Sequence, residues 1–347
     1  MKKVYVGLSG GVDSSVTALL LKEQGYKVTG IYMKNWTKDL PGMPCPWKED
    51  FADAKRIAVQ LGIDFKVYDF EKQYFEKVVK YMLEGFEAGI TPNPDIMCNQ
   101  EIKFKLFLDT ALEDGADFIA TGHYAKTKDG RLFAAKDENK DQTYFLYRVT
   151  EKALRKTLFP LGDLTKPQVR ELAKRHKLAT AAKKESMGIC FVGKVDIKQF
   201  LKQYIKGKPG KIINQNGEQV GTHDGAFFYT IGQRHGLDLG GGLPYYVVGK
   251  DIKKNEVYVT TDLQDKKLWS REIKFTSAHW IHQEPNASQK LQVRTRHRAK
   301  LIAVKKLKQV SKQQWVAELG EEVRALTPGQ SAVFYSGDEC LGGGIVV

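Results

Sequence analysis

A short glycine-bearing segment near the N-terminus has the residue types of a phosphate-binding loop. Residues 9–14 read Ser-Gly-Gly-Val-Asp-Ser, between an apolar run at 4–8 and an apolar-periodic segment that ends at Gly25. Adjacent glycines let backbone N–H groups approach an anion closely, serine hydroxyls add donors, and the following helix contributes its positive dipole end. Asp13 would repel a naked phosphate, but it is well placed to face a metal ion or water that accompanies one. The segment therefore predicts a phosphate site at a strand-to-helix turn.

The spacing within this loop distinguishes it from two other nucleotide-binding motifs. No Gly-Lys-Ser/Thr follows it, as a Walker A motif requires, and the Gly-x-Gly-x-x-Gly of a dinucleotide fingerprint is absent. The hexapeptide resembles the pyrophosphate loop (PP-loop) of the ATP-pyrophosphatases, which cleave ATP to AMP and pyrophosphate and adenylate a substrate oxygen. An ordinary glycine-rich turn explains a lone Gly-Gly, but it does not account for the whole hexapeptide with its two flanks.

Two of the four cysteines lie in segments that suit covalent chemistry. Cys98 follows Asn93-Pro94-Asp95, where prolines stiffen an extended stretch just before a helix. Cys190 follows Lys183-Lys184, whose positive charge would favour a thiolate. Taken alone, Asp95 is equally well explained as a helix N-cap and Cys98 as a small buried residue. Four cysteines without a Cys-x-x-Cys pair are too few for a disulfide scaffold, so cysteine chemistry here is predicted to be catalytic.

The elements that would position these residues alternate between strand and helix. Strands are predicted at 4–8, 27–33, 65–70 and 118–121, and helices at 49–61, 71–87, 103–112 and 166–176. Strands separated by helices of this length predict an α/β domain with a doubly wound parallel sheet. Ligands bind beyond the carboxyl ends of such strands, so Met33 and Thr121-Gly122-His123 should share a crevice with the PP-loop.

The pattern changes to short β-type runs after residue 207. Hairpins are predicted around Asn216-Gly217 and 253–255, and barrel strands at 292–300, 301–307 and 314–319. We therefore predict a PP-loop catalytic domain at 1–207, a small β-rich domain at 208–265 and a C-terminal β-barrel at 266–347. Four alternate basic residues are expected to share one face of a barrel strand and to contact phosphates: Arg294, Arg296, Arg298 and Lys300.

Composition and charge favour a nucleic-acid partner. The 347 residues carry a net charge of +14, with 42% hydrophobic and 28% charged residues, as in an ordinary globular protein. Residues 151–210 hold 15 Lys and Arg against 5 Asp and Glu, and residues 266–347 hold 14 against 7. Two basic segments beside a near-neutral remainder indicate a polyanion larger than ATP, although a solvated basic surface is the simpler alternative. With no leader pattern and no apolar run of membrane-spanning length, we expect a cytoplasmic protein without a membrane partner.

In order along the chain, the motifs resemble those of the bacterial tRNA-specific 2-thiouridylases. The matches are the PP-loop, Asn-Pro-Asp-x-x-Cys at 93–98, Thr-Gly-His-Tyr-Ala at 121–125, Asp-Gln-Thr-Tyr-Phe-Leu at 141–146 and Gly-Ile-Cys-Phe-Val at 188–192. In that family ATP activates the C2 oxygen of wobble uridine 34 in the lysine, glutamate and glutamine tRNAs as an adenylate. Sulfur carried as a cysteine persulfide then replaces it. The resemblance implies an ATP- and Mg²⁺-dependent sulfurtransferase whose partners are tRNA and a sulfur-relay carrier or cysteine desulfurase.

The resemblance also implies roles for individual residues. Cys98 matches the nucleophile, Cys190 the persulfide carrier, and Asp95 is a candidate acid or base. Residues that match ATP-binding positions are Gly7, Leu8, Ser9, Gly10, Gly11, Val12, Asp13, Ser14, Met33 and Gly122. Residues that match positions touching the target base or tRNA are Asn93, Pro94, Asp95, His123, Lys140, Asp141, Gln142, Arg296, His297 and Gln330. No protein metal cage is expected, because Mg²⁺ would arrive with ATP and face Asp13.

The chemistry independently calls for these parts. Breaking a C–O bond at an amide-like carbonyl needs a better leaving group than oxide, and AMP supplies one, with Mg²⁺ offsetting phosphate charge. A low-pKa thiolate must carry sulfur that would otherwise be lost to water, and the uridine must leave its stack. The two cysteines must approach to disulfide distance, with Cα atoms roughly 4.4–6.8 Å apart, at least transiently.

Three alternatives remain open from the sequence. Another ATP-pyrophosphatase acting on tRNA or a small amide explains the PP-loop, but gives no joint role to Cys98 and Cys190. A non-catalytic, nucleotide-responsive RNA-binding protein explains the charge alone. An iron–sulfur cluster on the cysteines and Asp95 is not favoured, because their spacing is not a cluster-binding run. Cys45 and Cys340 are expected to be bystander thiols.

Overall fold

The structure, a computed structural model, describes residues 1–39, 45–184, 197–240, 242–286 and 288–347. Within these ranges the strands form sheets of five, four and eight strands. The strands are β1 Lys3–Gly7, β2 Lys27–Lys34, β3 Asp64–Asp69, β4 Phe118–Ala120, β5 Lys126–Lys128, β6 Arg131–Phe133, β7 Thr157–Leu158, β8 Gly210–Ile213, β9 Gln219–His223, β10 Tyr246–Asp251, β11 Glu256–Thr260, β12 Trp269–Trp280, β13 Gln292–Arg294, β14 Ile302–Gln309, β15 Gln314–Arg324, β16 Ser331–Ser336 and β17 Glu339–Val346.

The helices of the described ranges lie mostly in the N-terminal half. They are α1 Val12–Glu23, α2 Trp47–Leu61, α3 Glu71–Tyr74, α4 Lys80–Glu87, α5 Pro94–Met97, α6 Phe107–Glu113, α7 Thr143–Leu146, α8 Glu151–Leu154, α9 Lys166–Arg175 and α10 Ile197–Lys202. A π-helical segment, Phe75–Val79, joins α3 to α4, and another, Cys98–Leu106, joins α5 to α6. No helix in the described parts of the chain is both long and apolar enough to cross a bilayer.

The five-stranded sheet is parallel and has the order β3-β2-β1-β4-β7. Side chains of β1 alternate between two cores, with Val4 and Val6 packing with α1, α2 and α9, and Tyr5 packing on the opposite face with the helices from α3 to α6. Helices on both faces confirm the predicted doubly wound arrangement. The chain runs outward from β1 to β3 and returns to β4 on the other side of β1, so the strand order reverses between β1 and β4.

One predicted helix begins nine residues too late. The prediction placed a helix at 103–112, whereas the helical run starts at Pro94 and continues through the π-helical segment to Glu113. Asn93 caps it, because its side-chain oxygen accepts hydrogen bonds from the backbone N–H groups of Asp95 and Ile96 at 3.1 and 3.3 Å. The wider π-helical turn breaks the 3.6-residue apolar spacing on which the prediction relied.

Both predicted hairpins of the central part are present. Strands β8 and β9 pair antiparallel around Asn216-Gly217, and β10 and β11 pair antiparallel around 252–255. The two hairpins join through a parallel pairing of β8 with β11, which completes a four-stranded sheet.

The C-terminal strands form a closed six-stranded barrel. They follow the order β12-β15-β14-β13-β16-β17, and a β12–β17 pairing closes the ring around a core that includes Phe275 and Phe334. The β5–β6 hairpin from the N-terminal half extends this sheet by pairing with β17. Arg131 on β6 donates two 2.7 Å hydrogen bonds to the Glu339 carboxylate on β17. These contacts attach the barrel to the parallel-sheet half, and the division of the chain at residues 207 and 265 stays a prediction.

The predicted basic strand at 292–300 is wrong. Strand β13 ends at Arg294, and the chain then turns, with the Ala299 N–H bonded to the Arg296 carbonyl at 3.1 Å and Arg298 at a φ of +63°. The carbonyl of Thr295 is instead bonded to the buried Tyr144 hydroxyl at 3.2 Å. The four alternate basic residues therefore do not share one strand face.

Candidate active site

The PP-loop connects β1 to α1 and folds back on itself through its own hydroxyls. The side chains of Ser14 and Ser15 donate to the carbonyl of Gly11 at 3.0 and 2.8 Å, and the N–H of Ser9 donates to the Ser14 hydroxyl at 3.2 Å. Gly11 is the N-cap of α1 in an extended conformation and provides no side-chain cap. The first N–H groups of α1 are thus not capped by a side chain, which is the arrangement of an anion site at a helix N-terminus.

Close backbone approaches set the shape of this site. Gly10 has a φ of +74°, and a Cβ there would clash with the carbonyl oxygen of Asp50. A Cβ at Gly122 would lie 2.8 Å from the backbone nitrogen of Ser14, and one at Gly7 would lie 3.0 Å from the Met33 methyl carbon. The structure therefore brings Gly7, Met33 and Gly122 to the PP-loop, beside the point where the sheet order reverses, as the strand pattern predicts.

Asp13 makes contacts that sequence reasoning missed. Both of its carboxylate oxygens lie 2.7 Å from the Nζ of Lys166, and the hydroxyl of Tyr124 donates to Oδ1 at 2.9 Å. Lys166 is the first residue of α9, where the helix dipole disfavours a cation. A lysine at this unfavourable position indicates a nearby carboxylate that stabilises it, and this was the signal that the sequence offered.

Lys183 also has acidic partners that the sequence did not reveal. Its Nζ lies 2.8 Å from Asp50 and 2.6 Å from Asp53, both on α2. Burial lowers the pKa of Lys183, but the hydrogen bonds to the two carboxylates outweigh it, so the pKa is raised. Two carboxylates thus offset the charge that was expected to favour a thiolate at Cys190, and Cys190 itself lies outside the described residues.

The segment before Cys98 is held by the barrel and the central part. The N–H of Thr91 donates to the carbonyl of Pro328 at 2.8 Å, and its carbonyl accepts from the Gln330 side chain at 2.8 Å. Its hydroxyl lies 3.2 Å from that of Thr230. Asp95 and the buried Cys98 follow on the same helical run, one turn apart, so they share a face of it.

A cavity of about 350 Å³ lies where the three parts of the chain meet. The His297 ring faces Phe145 at a centroid distance of 4.6 Å. Burial, with help from Arg298, Arg294 and Lys140, lowers the pKa of His297 to about 4. Four lining residues were predicted to touch the target base or tRNA: Asn93, Arg296, His297 and Gln330. The other lining residues are Tyr144, Phe145, Thr230, Ile231, Gly232, Gln233 and Thr327, of which the four from 230 to 233 belong to the central part.

Other residues predicted to touch tRNA do not line this cavity. His123 is buried against Phe104, lies 2.7 Å from the Thr121 hydroxyl through Nδ1, and has its pKa lowered by burial. Asp141 is buried and accepts from the Thr143 hydroxyl at 2.7 Å, and burial raises its pKa.

The neighbours of Asp141 are placed differently. The Gln142 side chain accepts from the N–H of Tyr124 at 3.0 Å, and Lys140 is half-buried. The contacts of the 140–142 segment with tRNA stay predictions.

The donor set within the described ranges does not form a metal cage. No group of three or more His, Cys, Asp or Glu side chains in these ranges is arranged to hold a metal ion. Asp13 has the hard carboxylate oxygens that suit Mg²⁺, but both face Lys166. A metal ion that arrived with a polyphosphate would therefore have to share the Asp13 carboxylate with Lys166.

Three family models match the chain in succession. They are the tRNA methyl transferase HUP domain at residues 2–194, the tRNA methyl transferase PRC-barrel domain at 198–261 and the aminomethyltransferase beta-barrel domain at 270–346. The tRNA-specific 2-thiouridylase MnmA of Bacillus subtilis (strain 168) is 48% identical over 350 residues, which cover 99% of this chain and 94% of that protein. The chain belongs to the tRNA-specific 2-thiouridylase family.

A second relative and two solved structures extend the comparison. The 2-thiouridylase MnmA of Bacillus velezensis is 49% identical over 355 residues, with coverage of 99% and 94%. The U34-tRNA thiolase NcsA from Methanococcus maripaludis, described with its 4Fe–4S cluster, is 21% identical with a TM-score of 0.37 and coverage of 58% and 64%. The NMN synthetase from Francisella tularensis is 18% identical with a TM-score of 0.35 and coverage of 53% and 66%.

The PP-loop geometry predicts different outcomes for two glycines at opposite ends of α1. Gly10→Ala should lower ATP affinity by about tenfold or more, since the new methyl group meets the Asp50 carbonyl and shifts the loop. Gly25 also has a positive φ, of +83°, but a Cβ added at Gly25 would meet nothing within 4 Å. Gly25→Ala should therefore lose about 1 kcal/mol of stability and keep its ATP affinity. Calorimetric titration with ATP checks both, and equal affinities in the two variants would refute the assigned geometry.

The environment of His297 predicts a pH dependence of folding. Its folded pKa of about 4 lies below the ordinary 6.5, so between these values the unfolded chain binds a proton that the folded chain does not. The stability linked to neutral His297 is thus complete above pH 6.5 and is lost as the pH falls towards 4. His297→Gln should lose less stability than the parent protein between pH 7.5 and 4.5 in urea unfolding. Parallel losses would show that His297 titrates normally in the folded protein.

Proposed function

We propose that this protein is an ATP-dependent sulfurtransferase that converts wobble uridine 34 of tRNA to 2-thiouridine. The observation that carries the proposal is that three parts of the chain meet at Thr91, which bonds to Pro328 and Gln330 of the barrel and to Thr230 of the central part. The Asn93–Cys98 segment follows directly, belongs to the PP-loop half, and begins at the cavity that Asn93 lines. Membership of the 2-thiouridylase family supports the same reaction. The substrates proposed are the lysine, glutamate and glutamine tRNAs, in the cytoplasm.

The PP-loop would bind the phosphates of ATP and promote adenylation of the uridine C2 oxygen. The N–H groups at the start of α1 would donate to phosphate oxygens, and so would the Ser9 hydroxyl once it turns away from Ser14, whose own proton is donated to the Gly11 carbonyl. Mg²⁺ that arrives with ATP would offset phosphate charge, with Asp13 of the loop as its proposed protein carboxylate. The outcome is a uridine whose C2 bears AMP, a good leaving group, with pyrophosphate released.

The target base would reach the chemistry by leaving the anticodon stack. The Asn93–Asp95 segment is proposed to hold the flipped uridine, because Pro94 and the Asn93 cap fix its backbone before the helix. The cavity beside it offers the His297 and Phe145 rings for stacking and the Arg296 guanidinium for phosphate. These features support recognition of single-stranded anticodon nucleotides.

Sulfur transfer is proposed to use Cys98 and Cys190 together. A donor protein would leave Cys190 as a persulfide, whose outer sulfur attacks C2 and displaces AMP. The Cys98 thiolate would then attack Cys190 Sγ, which breaks the remaining S–S bond to the tRNA and leaves 2-thiouridine and a Cys98–Cys190 disulfide. Alternatively, Cys98 attacks the persulfide first and releases sulfide, which then displaces AMP. Either route ends in the same disulfide, which an external dithiol must reduce.

The two cysteines should differ in a sulfur-labelling experiment. Cys190→Ser should accept no transferable sulfur yet still form adenylated tRNA, because adenylation precedes sulfur transfer. Cys98→Ser should still accept label at Cys190 but fail to release 2-thiouridine. The control is Cys45→Ser, at a half-buried thiol with no assigned role, which should keep full activity. Peptide mass analysis after incubation with a labelled donor reads the result, and label on Cys98 alone would reverse the assignment.

A further inference from the structure

The ammonium of Lys166 lies inside the proposed nucleotide site, although it comes from a distant part of the chain. Its side chain is 9% exposed and that of Asp13 is 31% exposed, so the pair sits at the floor of the loop and Asp13 is the more accessible partner. Nζ is 2.7 Å from each carboxylate oxygen and lies 5.8 Å from the centre of the Tyr124 ring. The ion pair with Asp13 orients the Lys166 ammonium towards the PP-loop.

The backbone around Lys166 is anchored independently of this ion pair. The N–H of Lys166 donates to the Asp137 carboxylate at 2.8 Å, and Thr165 forms a capping box with Gln168 at the start of α9. Helix α9 packs against α1 in the core that contains Val16 and Val169. The position from which the lysine side chain extends is therefore fixed, whereas the side chain itself has rotatable bonds with which to exchange one anionic partner for another.

Electrostatics makes such an exchange favourable when a polyphosphate binds. The N-terminus of α1 attracts anions, but Asp13 in its first turn repels them. Lys166 offsets that repulsion while it pairs with Asp13. When a divalent cation enters with the phosphates, the cation and the ammonium compete for one carboxylate, and the phosphate oxygens offer the ammonium an equivalent charge-assisted bond.

We propose that Lys166 is a phosphate-binding residue of the nucleotide site, which pairs with Asp13 before ATP binds and with the polyphosphate afterwards. This inference rests on the proposed use of ATP by the PP-loop. It adds a ligand-binding group from α9, outside the glycine-rich loop, and it gives Asp13 a partner in each state: Lys166 without nucleotide and the incoming cation with it. The simpler alternative is that Lys166 only neutralises Asp13.

A double-mutant cycle separates these two roles. Lys166→Gln, Asp13→Asn and the double variant are titrated with inorganic pyrophosphate and with ATP, each with and without Mg²⁺, by calorimetry. If Lys166 binds phosphate, the double variant should bind pyrophosphate about tenfold or more weakly than Asp13→Asn alone, the loss expected for one charge-assisted hydrogen bond. Equal affinities of Asp13→Asn and the double variant would overturn the proposal, since Lys166 would then act only through Asp13.

Controls keep this result interpretable. Lys174→Gln removes an exposed lysine from the same helix and should leave pyrophosphate affinity unchanged. Should Lys166→Gln fail to fold because Asp13 is left unpaired, the comparison of Asp13→Asn with the double variant still decides, as neither leaves an unpaired carboxylate at residue 13. A parent protein that binds MgATP but makes no 2-thiouridine would contradict the proposed function and leave this inference intact. A protein that thiolates tRNA but shows equal affinities in the cycle would contradict only the inference.

Discussion

The hydrogen bonds at Thr91 are the constraint on which the arrangement of the candidate site depends. They join the loop before α5 to the barrel through Pro328 and Gln330. A loop of this kind, with two prolines and no strand partner, would otherwise have few backbone bonds to fix it. Because Asn93 and Asp95 follow within four residues, fixing Thr91 also fixes the residues proposed to hold the target base. The barrel thereby takes part in the site although it carries neither the PP-loop nor a proposed catalytic cysteine.

The nucleotide side of the site depends on charge as much as on shape. The strand order reverses between β1 and β4, and glycines at positions 7, 10 and 122 let the backbone pack closely against Met33, Asp50 and Ser14. Carboxylates also lie near this loop, at Asp13 and Asp50, and each pairs with a lysine that comes from residues 166–183. Two lysines of the strongly basic segment at 151–210, Lys166 and Lys183, are therefore paired with carboxylates inside the catalytic half. These two charges do not belong to a surface for nucleic acid.

Local signals predicted the fold well and long-range contacts poorly. Strands β1 to β4 lie within one residue of their predicted ends, and burial on two faces gives β1 and β2 a clear apolar pattern. Arg296 shows the opposite case. Alternate basic residues suggested a strand, but the Arg296 side chain turns to donate to the carbonyl of Ala325 at 2.9 Å, a contact set by tertiary structure. The pairing of Lys166 with Asp13 spans 153 residues, and the local signal, a lysine at the start of α9, does not identify Asp13 as the partner.

The candidate site was predictable to the extent that its residues occur in compact motifs. The PP-loop and the Asn93–Cys98 segment are each continuous in sequence, whereas the cavity lining from Thr230 to Gln233 becomes part of the site only when the central part packs against the barrel.

The most direct test of the proposed function is mass analysis of nucleosides from tRNA incubated with the protein, ATP, Mg²⁺ and a sulfur source. We expect 2-thiouridine or its derivatives at position 34, formed only when ATP is present. Bound tRNA that gains no sulfur under these conditions would contradict the proposed function.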